Sequence, residues 1–294
     1  MTASLIGALE AGGTTIRCVV ASSPKDLESA HVVEVPTTTP QDTLDQVGAF
    51  FQPFVRSGQL TAIGVASFGP LDLQTMTIAS TTPKVSWRGL NWRHALHSRL
   101  GDLHLTVETD TNAAIFAEAN SGAAVGVDVA AYVTVGTGIG GAISVKGSPL
   151  HGIGHPEIGH VLVGRAPGDT HLGICTFHQH CLEGFASGSA LVERYGVPAS
   201  LLRADHEGLE IEAHYLAVAC VNLILTVGAE RIVLGGGVLD APGLRRQVSQ
   251  KAAQLLNGYL PQHEVNGVAV SVIVAPKFIH SGLVGAWLLA AEQR

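Results

Sequence analysis

The chain has 294 residues, of which 46% are apolar and 14% charged, and its formal net charge is −7. A chain of this size and apolar content can bury a sizeable core, so we expect a globular protein of two associated lobes. The negative balance, without a cluster of lysines or arginines, argues against a nucleic-acid partner held by its phosphates.

The N-terminus and the longest apolar stretch predict no membrane segment. The N-terminus lacks the basic flank and apolar core of a secretory signal, and it runs directly into a strand-like segment. The longest apolar stretch, 215–229, is too short to cross a bilayer and is interrupted by polar residues, so it predicts a buried helix. We therefore expect a cytoplasmic protein with small-molecule ligands and no membrane segment.

Strand-like and helix-like segments alternate along the chain, which predicts an α/β protein. Glycine-rich turns follow or interrupt strand-like runs in LEAGGTT (9–15), TVGTGIGG (134–141) and IVLGGGV (232–238). The predicted helices are 43–55, 112–121, 188–195, 211–226 and 283–291. In an α/β protein, ligands bind beyond the strand ends, where these turns lie.

The three glycine turns favour a phosphate ligand. Each turn alone also fits an ordinary hairpin that needs positive φ angles. Two of them carry threonine hydroxyls, however, and a backbone without Cβ lets N–H groups approach phosphate oxygens. The sequence contains no P-loop pattern and no G-x-G-x-x-G followed by a helix, so a nucleoside triphosphate held in another way is the leading candidate.

Asp110 stands where the strand-like segment 104–108 gives way to a helix, in the stretch ETDTNAAIFAE. One interpretation is that Asp110 caps this helix, with Asn112 in support. The alternative is that its carboxylate accepts the proton of a substrate hydroxyl as that oxygen attacks phosphorus. Both roles need a short side chain at this position.

The stretch ICTFHQHCLEG (174–184) is typical of a metal site. Cys175, His178 and Cys181 fall at intervals of three, so a tight turn can direct them at one ion, and zinc prefers four such nitrogen and sulfur ligands. Buried thiols beside surface histidines would be the ordinary alternative. A fourth ligand is required, and His180 lies within the same stretch.

These motifs together resemble the ROK family (repressors, open reading frames and kinases), a branch of the actin-like sugar kinases. EAGGTTIRC, SFGPLD, TPKVSW, ETDTNAAIFAE, VGTGIGG, HPEIGH, CTFHQHCLEGFASG and IVLGGGV occur in the family's order over essentially the whole chain. TPK, the C-x-x-H-x-x-C spacing and the following LEG are most similar to the zinc-containing fructokinases of bacteria. The resemblance implies a two-lobed actin-like ATPase fold of ribonuclease-H-like domains, which binds ATP, Mg²⁺ and a sugar.

The resemblance assigns roles to the motif residues. It implies that Asp110 is the catalytic base, which takes the proton of the fructose 6-hydroxyl during transfer of the γ-phosphate. The residues implied to bind ATP and its phosphates are Gly12, Gly13, Thr14, Gly136, Thr137, Gly138, Gly235, Gly236 and Gly237. The implied product is fructose 6-phosphate.

The resemblance also completes the metal site. It supplies His160 of HPEIGH as the fourth zinc ligand beside Cys175, His178 and Cys181, with His180 as the competing choice. Four protein ligands leave no open position, so the zinc is expected to be structural. The residues implied to bind sugar are Glu157, His160, Glu183 and Asn112.

Three departures from the family pattern bear on specificity. Glu10 stands where most members have aspartate, at a position expected near Mg²⁺. Thr109 replaces the asparagine that glucose-specific members carry before the base, which makes glucose a poorer candidate than fructose. The stretch LDLQTMTIAS (71–80) is shorter than usual and lacks its glycine.

The family pattern further predicts a small lobe over 1–118, completed by the final helix 283–294, and a large lobe over 119–282 that carries the zinc-binding loop. A homodimer is an option raised by the resemblance, although nothing in the sequence marks an interface. Two alternatives stay open: a kinase for mannose, glucose or an N-acetylated hexosamine, and a non-catalytic sugar sensor. A repressor is disfavoured, because the first glycine turn begins about ten residues from Met1 and leaves no room for a DNA-binding domain before it.

Overall fold

The computed structural model describes residues 4–260 and 272–292 and divides into two compact units. The first comprises Met1–Ala117, His151–His155 and Phe278–Arg294; the second comprises Glu118–Leu150 and Pro156–Lys277. These ranges differ from the sequence-based division chiefly in the short segment His151–His155, which belongs to the first unit. Residues 293–294 of the predicted final helix lie outside the described residues.

The first unit is built on a five-stranded sheet in the order β3-β2-β1-β4-β7. Its strands are β1 (Leu5–Ala11), β2 (Thr15–Ala21), β3 (Val33–Pro36), β4 (Leu60–Ser67) and β7 (His104–Thr109), and a separate ribbon pairs β5 (Leu71–Asp72) with β6 (Thr77–Ile78). β1, β4 and β7 are parallel, so their carboxyl ends meet at one edge. That edge presents Ala11, directly before Gly12, and Thr109, directly before Asp110, together with Ser67, the first residue of the SFGP motif.

Helices cover both faces of this sheet. They are α1 (Pro24–Ser29), α2 (Pro40–Arg56), α3 (Trp92–Leu100), the start of α4 (Asp110–Ser121) and the final helix, α9 (Ser281–Glu292). Thr39 caps α2 by accepting the N–H of Asp42, and Pro40 suits its first turn. α9 packs closely on α4, since a Cβ on Gly285 would lie 1.7 Å from the Ala113 carbonyl oxygen.

The second unit has its own five-stranded sheet, in the order β10-β9-β8-β11-β12. Its strands are β8 (Val129–Val135), β9 (Ile139–Val145), β10 (Ser148–Pro149), β11 (Arg231–Gly235) and β12 (Ile273–Val274). Its helices, besides the end of α4, are α5 (Leu182–Ala186), α6 (Gly188–Tyr195), α7 (Glu207–Val227) and α8 (Leu244–Leu256). By length and composition α7 could span a membrane, but 56% of its apolar window is buried inside the unit, as in a core helix.

The glycine turns lie where the sequence predicts them. Residues 9–15 form the hairpin from β1 to β2, residues 134–141 form the hairpin from β8 to β9, and β11 runs directly into the turn of 3-10 helix Gly237–Asp240. The prediction for α6 matches its observed bounds. The other predicted helices begin two to four residues earlier than predicted, because their first turns are polar and carry no apolar periodicity.

Candidate functional site

Asp110 lies at the junction of β7 and α4 and is the one partly exposed residue in a buried stretch. Every other residue from 105 to 118 is buried. The Asp110 Oδ1 accepts the backbone N–H of Thr111 at 2.8 Å. The junction therefore directs one carboxylate outward from a rigid, packed support.

The capping role falls to the neighbouring threonine. α4 begins at Asp110, and the Thr109 Oγ1 accepts the N–H of Asn112 at 3.1 Å, which is the bond of a helix N-cap. Thr109 is 1% exposed, so this hydroxyl is committed to the helix end. The alternative that Asp110 serves only as the cap therefore loses its main support.

A polar cluster of Glu108, Asn112 and His151 adjoins Asp110; Glu108 and Asn112 are buried, whereas the His151 side chain is 41% exposed. Glu108 accepts the Thr109 N–H at 2.8 Å, the Asn112 amide at 3.0 Å and His151 Nε2 at 2.7 Å. Asn112 is 0% exposed, and its Oδ1 is buried without a hydrogen-bond partner. Asn112 therefore supports the junction through Glu108. The contact between His151 and Glu108 attaches the segment His151–His155 to β7, the strand that leads to Asp110.

The first glycine loop projects from the β1–β2 hairpin in the same unit. Gly13 and Thr14 are exposed at its tip, while Gly12 donates its N–H to Thr15 and accepts the Thr37 hydroxyl on its carbonyl. The backbone around the tip is therefore fixed by hydrogen bonds, and the tip itself stays open to a ligand.

The second and third glycine loops line one cavity in the second unit. The cavity has a volume of about 650 Å³. It is lined by Gly136, Thr137, Gly188, Ser189, Val192, Glu193, Pro198, Ala199, Ser200, Gly237 and Val238. The start of α6 closes on the loop, because Gly188 donates its N–H to the Gly136 carbonyl at 2.7 Å and the Ser189 hydroxyl donates to the Thr137 carbonyl at 2.8 Å.

Glycine is required in the third loop for a local reason. Gly236 has φ of 93°, and a Cβ there would lie 2.4 Å from the Val135 carbonyl oxygen at the end of β8. A side chain would force these neighbouring strand ends apart. Gly236 thus keeps the second and third loops side by side at the cavity.

The predicted metal ligands come together in the second unit. The ligand atoms of His160, Cys175, His178 and Cys181 all lie within 4.8 Å of one another. The Cys175 sulfur lies 3.7 Å from His160 Nδ1 and 3.9 Å from His178 Nδ1, and the Cys181 sulfur lies 3.7 Å from His160 Nδ1. His180 is not a member of the cluster; its exposed ring lies beside Phe185.

Backbone pairing explains how residues far apart in sequence meet there. Leu182 donates its N–H to Val161, and Val163 donates its N–H to His180, so the chain after His160 pairs with the chain around Cys181. The two sulfurs also accept local N–H groups, from His178 to Cys175 and from Gly184 to Cys181, each at 3.4 Å. Burial raises the pKa of the Cys181 thiol to about 11.

The two predicted sugar-binding glutamates flank this cluster differently. Glu157 is exposed and directly precedes the helical turn Ile158–His160. Glu183 is partly buried, with Oε2 accepting the Ile139 N–H at 2.8 Å and Oε1 lying 3.9 Å from His160 Nε2. A Cβ on Gly138 would come within 2.6 Å of Glu183 Oε2, so this carboxylate joins the Cys/His cluster to the second glycine loop.

A buried ionic network supports the loop that leads to the cluster. Asp169 pairs with Arg194 at 3.1 Å, and the Tyr215 hydroxyl donates to Asp169 at 2.5 Å and accepts the N–H of Ala166. The side chains of Asp169 and Arg194 are each only 4% exposed. Burial opposes the charge on Asp169, but the hydrogen bonds and the arginine outweigh it and lower its pKa.

Sequence reasoning missed several of these features. No quoted motif contains the α6 residues Ser189, Val192 and Glu193 or the partners His151, Asp169 and Arg194, because each matters through residues distant in the sequence. His151 was visible only as a histidine ahead of HPEIGH. To predict contacts of this kind, the fold would have had to be known first.

Comparison with known proteins gives a consistent result. The model of the ROK family matches residues 6–293. The chain is similar to the fructokinase of Zymomonas mobilis, with 35% identity over 97% of this chain and 96% of that protein, and to the fructokinase of Streptococcus mutans, with 34% identity over 92% of each. Among solved structures it is similar to the ROK hexokinase of Thermus thermophilus, with 26% identity, 98% coverage of both chains and a TM-score of 0.76.

Proposed function

The chain belongs to the ROK family, and from this premise we propose that it phosphorylates fructose to fructose 6-phosphate with ATP as the donor. The predictions of a ROK-family sugar kinase, of the actin-like fold and of a hexokinase-type enzyme are confirmed. We propose three further points: that fructose is the preferred hexose, that Mg²⁺ and zinc bind, and that the site residues have the roles given below.

The observation that carries the proposal is the geometry at Asp110. A carboxylate held at a strand end, relieved of helix capping and partly exposed within a buried stretch, suits a general base. In the proposed reaction Asp110 accepts the proton of the fructose 6-hydroxyl as that oxygen attacks the γ-phosphorus. Glu108, Asn112 and His151 hold the junction in place, so we assign Asn112 a positioning role next to its predicted role in sugar binding.

The cavity of the second unit supports ATP binding. It brings Gly136 and Thr137 of one predicted phosphate loop together with Gly237 of the other, beside the apolar side chains of Val192, Pro198 and Val238. Backbone N–H groups suit phosphates, and apolar walls suit a nucleobase. We propose that ATP places its adenosine here. The other predicted phosphate-binding residues, Gly12, Gly13 and Thr14, belong to the first unit.

The residue expected near Mg²⁺ fits that ion. Glu10 Oε2 is buried without a hydrogen-bond partner and lies 3.6 Å from Arg17. Burial raises the pKa of Glu10, and Arg17 opposes this effect. An unsatisfied carboxylate oxygen is a ligand of the kind that Mg²⁺ takes. Mg²⁺ would neutralise charge on the ATP phosphates, and Glu10 would face it directly or through water.

The four Cys and His residues fit a structural zinc ion. Zinc bonds of about 2.3 Å to sulfur and 2.1 Å to nitrogen place tetrahedral sulfur and nitrogen ligands roughly 3.6 Å apart. The observed separations of 3.7 to 3.9 Å are close to this value. Zinc would pin the loop, and Glu157 and Glu183 on either side of it would then be held in register to accept hydrogen bonds from sugar hydroxyls.

The test is a coupled ADP-release assay with ATP, Mg²⁺ and a panel of hexoses. We expect a strong preference for fructose that Asp110→Asn abolishes. Turnover of mannose or glucose in place of fructose would keep the mechanism and change the substrate, an alternative that the likeness to a ROK hexokinase keeps in view. If zinc-loaded protein turned over none of the sugars yet bound one of them, a sensor role would replace the proposal.

A further inference from the structure

Lys84, of the TPK motif, lies beside the first glycine loop in the first unit. Its ammonium group lies over the Phe68 ring, 5.6 Å from the centroid. Its Cε lies 3.9 Å from the position that a Cβ on Gly13 would take. Phe68 in turn donates its backbone N–H to Ala11, the residue directly before Gly12. The lysine is therefore built onto the base of the hairpin whose tip is proposed to contact phosphate.

The backbone of Lys84 is firmly anchored. Its carbonyl accepts the N–H of Trp87, and the Trp87 indole is 1% exposed and donates to the Thr38 carbonyl at 3.0 Å. Trp87 also packs edge-on against Phe68, with ring centroids 5.5 Å apart. The Phe68 ring thus contacts both Trp87, which holds the backbone of Lys84, and the ammonium group of Lys84.

The charge of Lys84 is left without an anionic partner. Across residues 4–260 and 272–292, no carboxylate lies within ion-pair distance of its ammonium group, whose neighbour is the Phe68 ring. Burial lowers the pKa of Lys84, because an ammonium group that is partly withdrawn from water loses hydration of its charged form. A cation–π contact alone compensates little of this cost. A cation held in this way next to an open glycine loop is complementary to a phosphate group.

We propose that Lys84 contacts the phosphoryl group that is transferred, as the γ-phosphate of ATP and then as the phosphate of the sugar product. This inference rests on the proposed kinase function and adds a charged phosphate-contacting residue to it. A lysine acts as a mobile point charge on a flexible stem, so it can follow the group as the bond to ADP breaks and the bond to the sugar oxygen forms. Its charge would count most in the transition state.

The first experiment measures nucleotide binding without sugar, so that it does not depend on turnover. Isothermal titration compares a non-hydrolysable ATP analogue with ADP, each with Mg²⁺, on wild type and Lys84→Met, which keeps the stem and removes the charge. We expect the variant to lose about tenfold in affinity for the ATP analogue and to bind ADP almost unchanged, because ADP lacks the group that Lys84 contacts. Lys25→Met, on the surface helix α1, is the matched control and should change neither affinity.

The second experiment measures steady-state kinetics. Lys84→Met should lower kcat by about 100-fold with little change in the KM for sugar, and Lys84→Arg should restore part of the loss because it keeps the charge. Thermal unfolding checks that the variants fold, and Lys84→Gln replaces the methionine variant if that one does not. The alkaline limb of the wild-type pH profile, which reports loss of the lysine charge, should move to higher pH in the arginine variant.

Specific outcomes would overturn the proposal. Equal losses for ADP and the ATP analogue would make Lys84 a support of the loop, and a loss confined to sugar affinity would make it a sugar contact. A wild type that turns over no sugar would refute the kinase function alone, since the difference between the two nucleotides would still report on Lys84.

Discussion

The Asp110 junction and the loop of residues 156–181 support their functional side chains by different means. At the junction the backbone passes directly from β7 into α4, and regular hydrogen bonds fix it. Within 156–181 the only regular element is the helical turn Ile158–His160, apart from one isolated bridge between Leu162 and Cys181. Beyond a few backbone hydrogen bonds, such as those from Leu182 to Val161 and from Val163 to His180, the loop depends on side-chain links: the Cys/His cluster on one side and the network of Asp169, Arg194 and Tyr215 on the other.

The two regions should therefore respond differently to substitutions. Backbone hydrogen bonds survive a change of one side chain, so the junction can lose its carboxylate and keep its shape. A loop with few regular backbone hydrogen bonds relies mainly on its side-chain contacts to offset the conformational entropy that is lost when the loop is ordered. Substitutions at the junction should change chemistry at constant stability, whereas substitutions in the links of the loop should change order and stability first.

The largest expected effect is at the junction. Asp110→Asn should lower kcat by about 1000-fold, because the amide cannot accept the proton of the sugar hydroxyl, while the melting temperature stays within a degree or so of wild type. Thr109→Val is the matched variant: it removes the cap and should cost about 1 kcal/mol of unfolding free energy. Steady-state kinetics and thermal unfolding of the two variants test whether Asp110 acts in the chemistry and Thr109 in capping. A large loss of stability in Asp110→Ala, whose side chain, unlike asparagine, cannot cap a helix, would return the capping role to Asp110.

The next effect tests the buried link of the loop. Asp169→Asn leaves Arg194 buried without its partner, and we expect a loss of about 3 kcal/mol in denaturant unfolding. The exposed pair of Arg203 and Asp205, with side chains 84% and 71% exposed, provides the control, since Asp205→Asn should change stability little. Equal effects at the two sites would contradict the idea that burial makes the network a support of the loop.

The same network predicts a pH dependence. Because the folded state lowers the pKa of Asp169, the carboxyl holds its proton less tightly there than in the unfolded chain. Its stabilisation is complete above the unfolded pKa of about 3.9 and is lost as the pH falls through the folded value. The difference between wild type and Asp169→Asn isolates this group from Glu212, which is also buried, lies near Arg194 and has its pKa raised by burial. That difference should shrink as the solution is acidified.

The contrast between the two regions also explains what the sequence could predict. Hairpins and strand-to-helix junctions are local, so glycines and β-branched runs located the turns at 9–15, 134–141 and 232–238 before the structure. Three of the four proposed metal ligands were predicted from their spacing, whereas His160 came only from the family resemblance. Glu108 with His151 and Asp169 with Tyr215 lie 43 and 46 residues apart, so their pairing depends on the whole fold.

Removal of the metal is expected to have a smaller, selective effect. Cys175→Ser should reduce bound zinc, measured by elemental analysis, and raise the Kd for sugar by about tenfold, which corresponds to the cost of ordering one or two loop residues. The Kd for ATP should change less, because α6 and Gly236 hold the cavity independently of the cluster. Cys220→Ala, at a buried thiol outside the cluster, should keep both zinc and sugar affinity. If removal of the metal by chelation weakened ATP binding before sugar binding, the assignment of the metal to the sugar-binding loop would be contradicted.

The smallest expected effect concerns the choice of sugar at the junction itself. Thr109→Asn introduces the residue that the family pattern predicts for glucose-specific members before the proposed base, and asparagine can also serve as the N-cap of α4, so the fold should be kept. One added hydrogen bond to a sugar hydroxyl should shift the ratio of kcat/KM values from fructose towards glucose by about threefold. Thr109→Ser keeps the cap without the amide and should leave the ratio unchanged. If the serine variant moved the ratio equally, the effect would come from packing around a residue that is 1% exposed and not from a contact with the sugar.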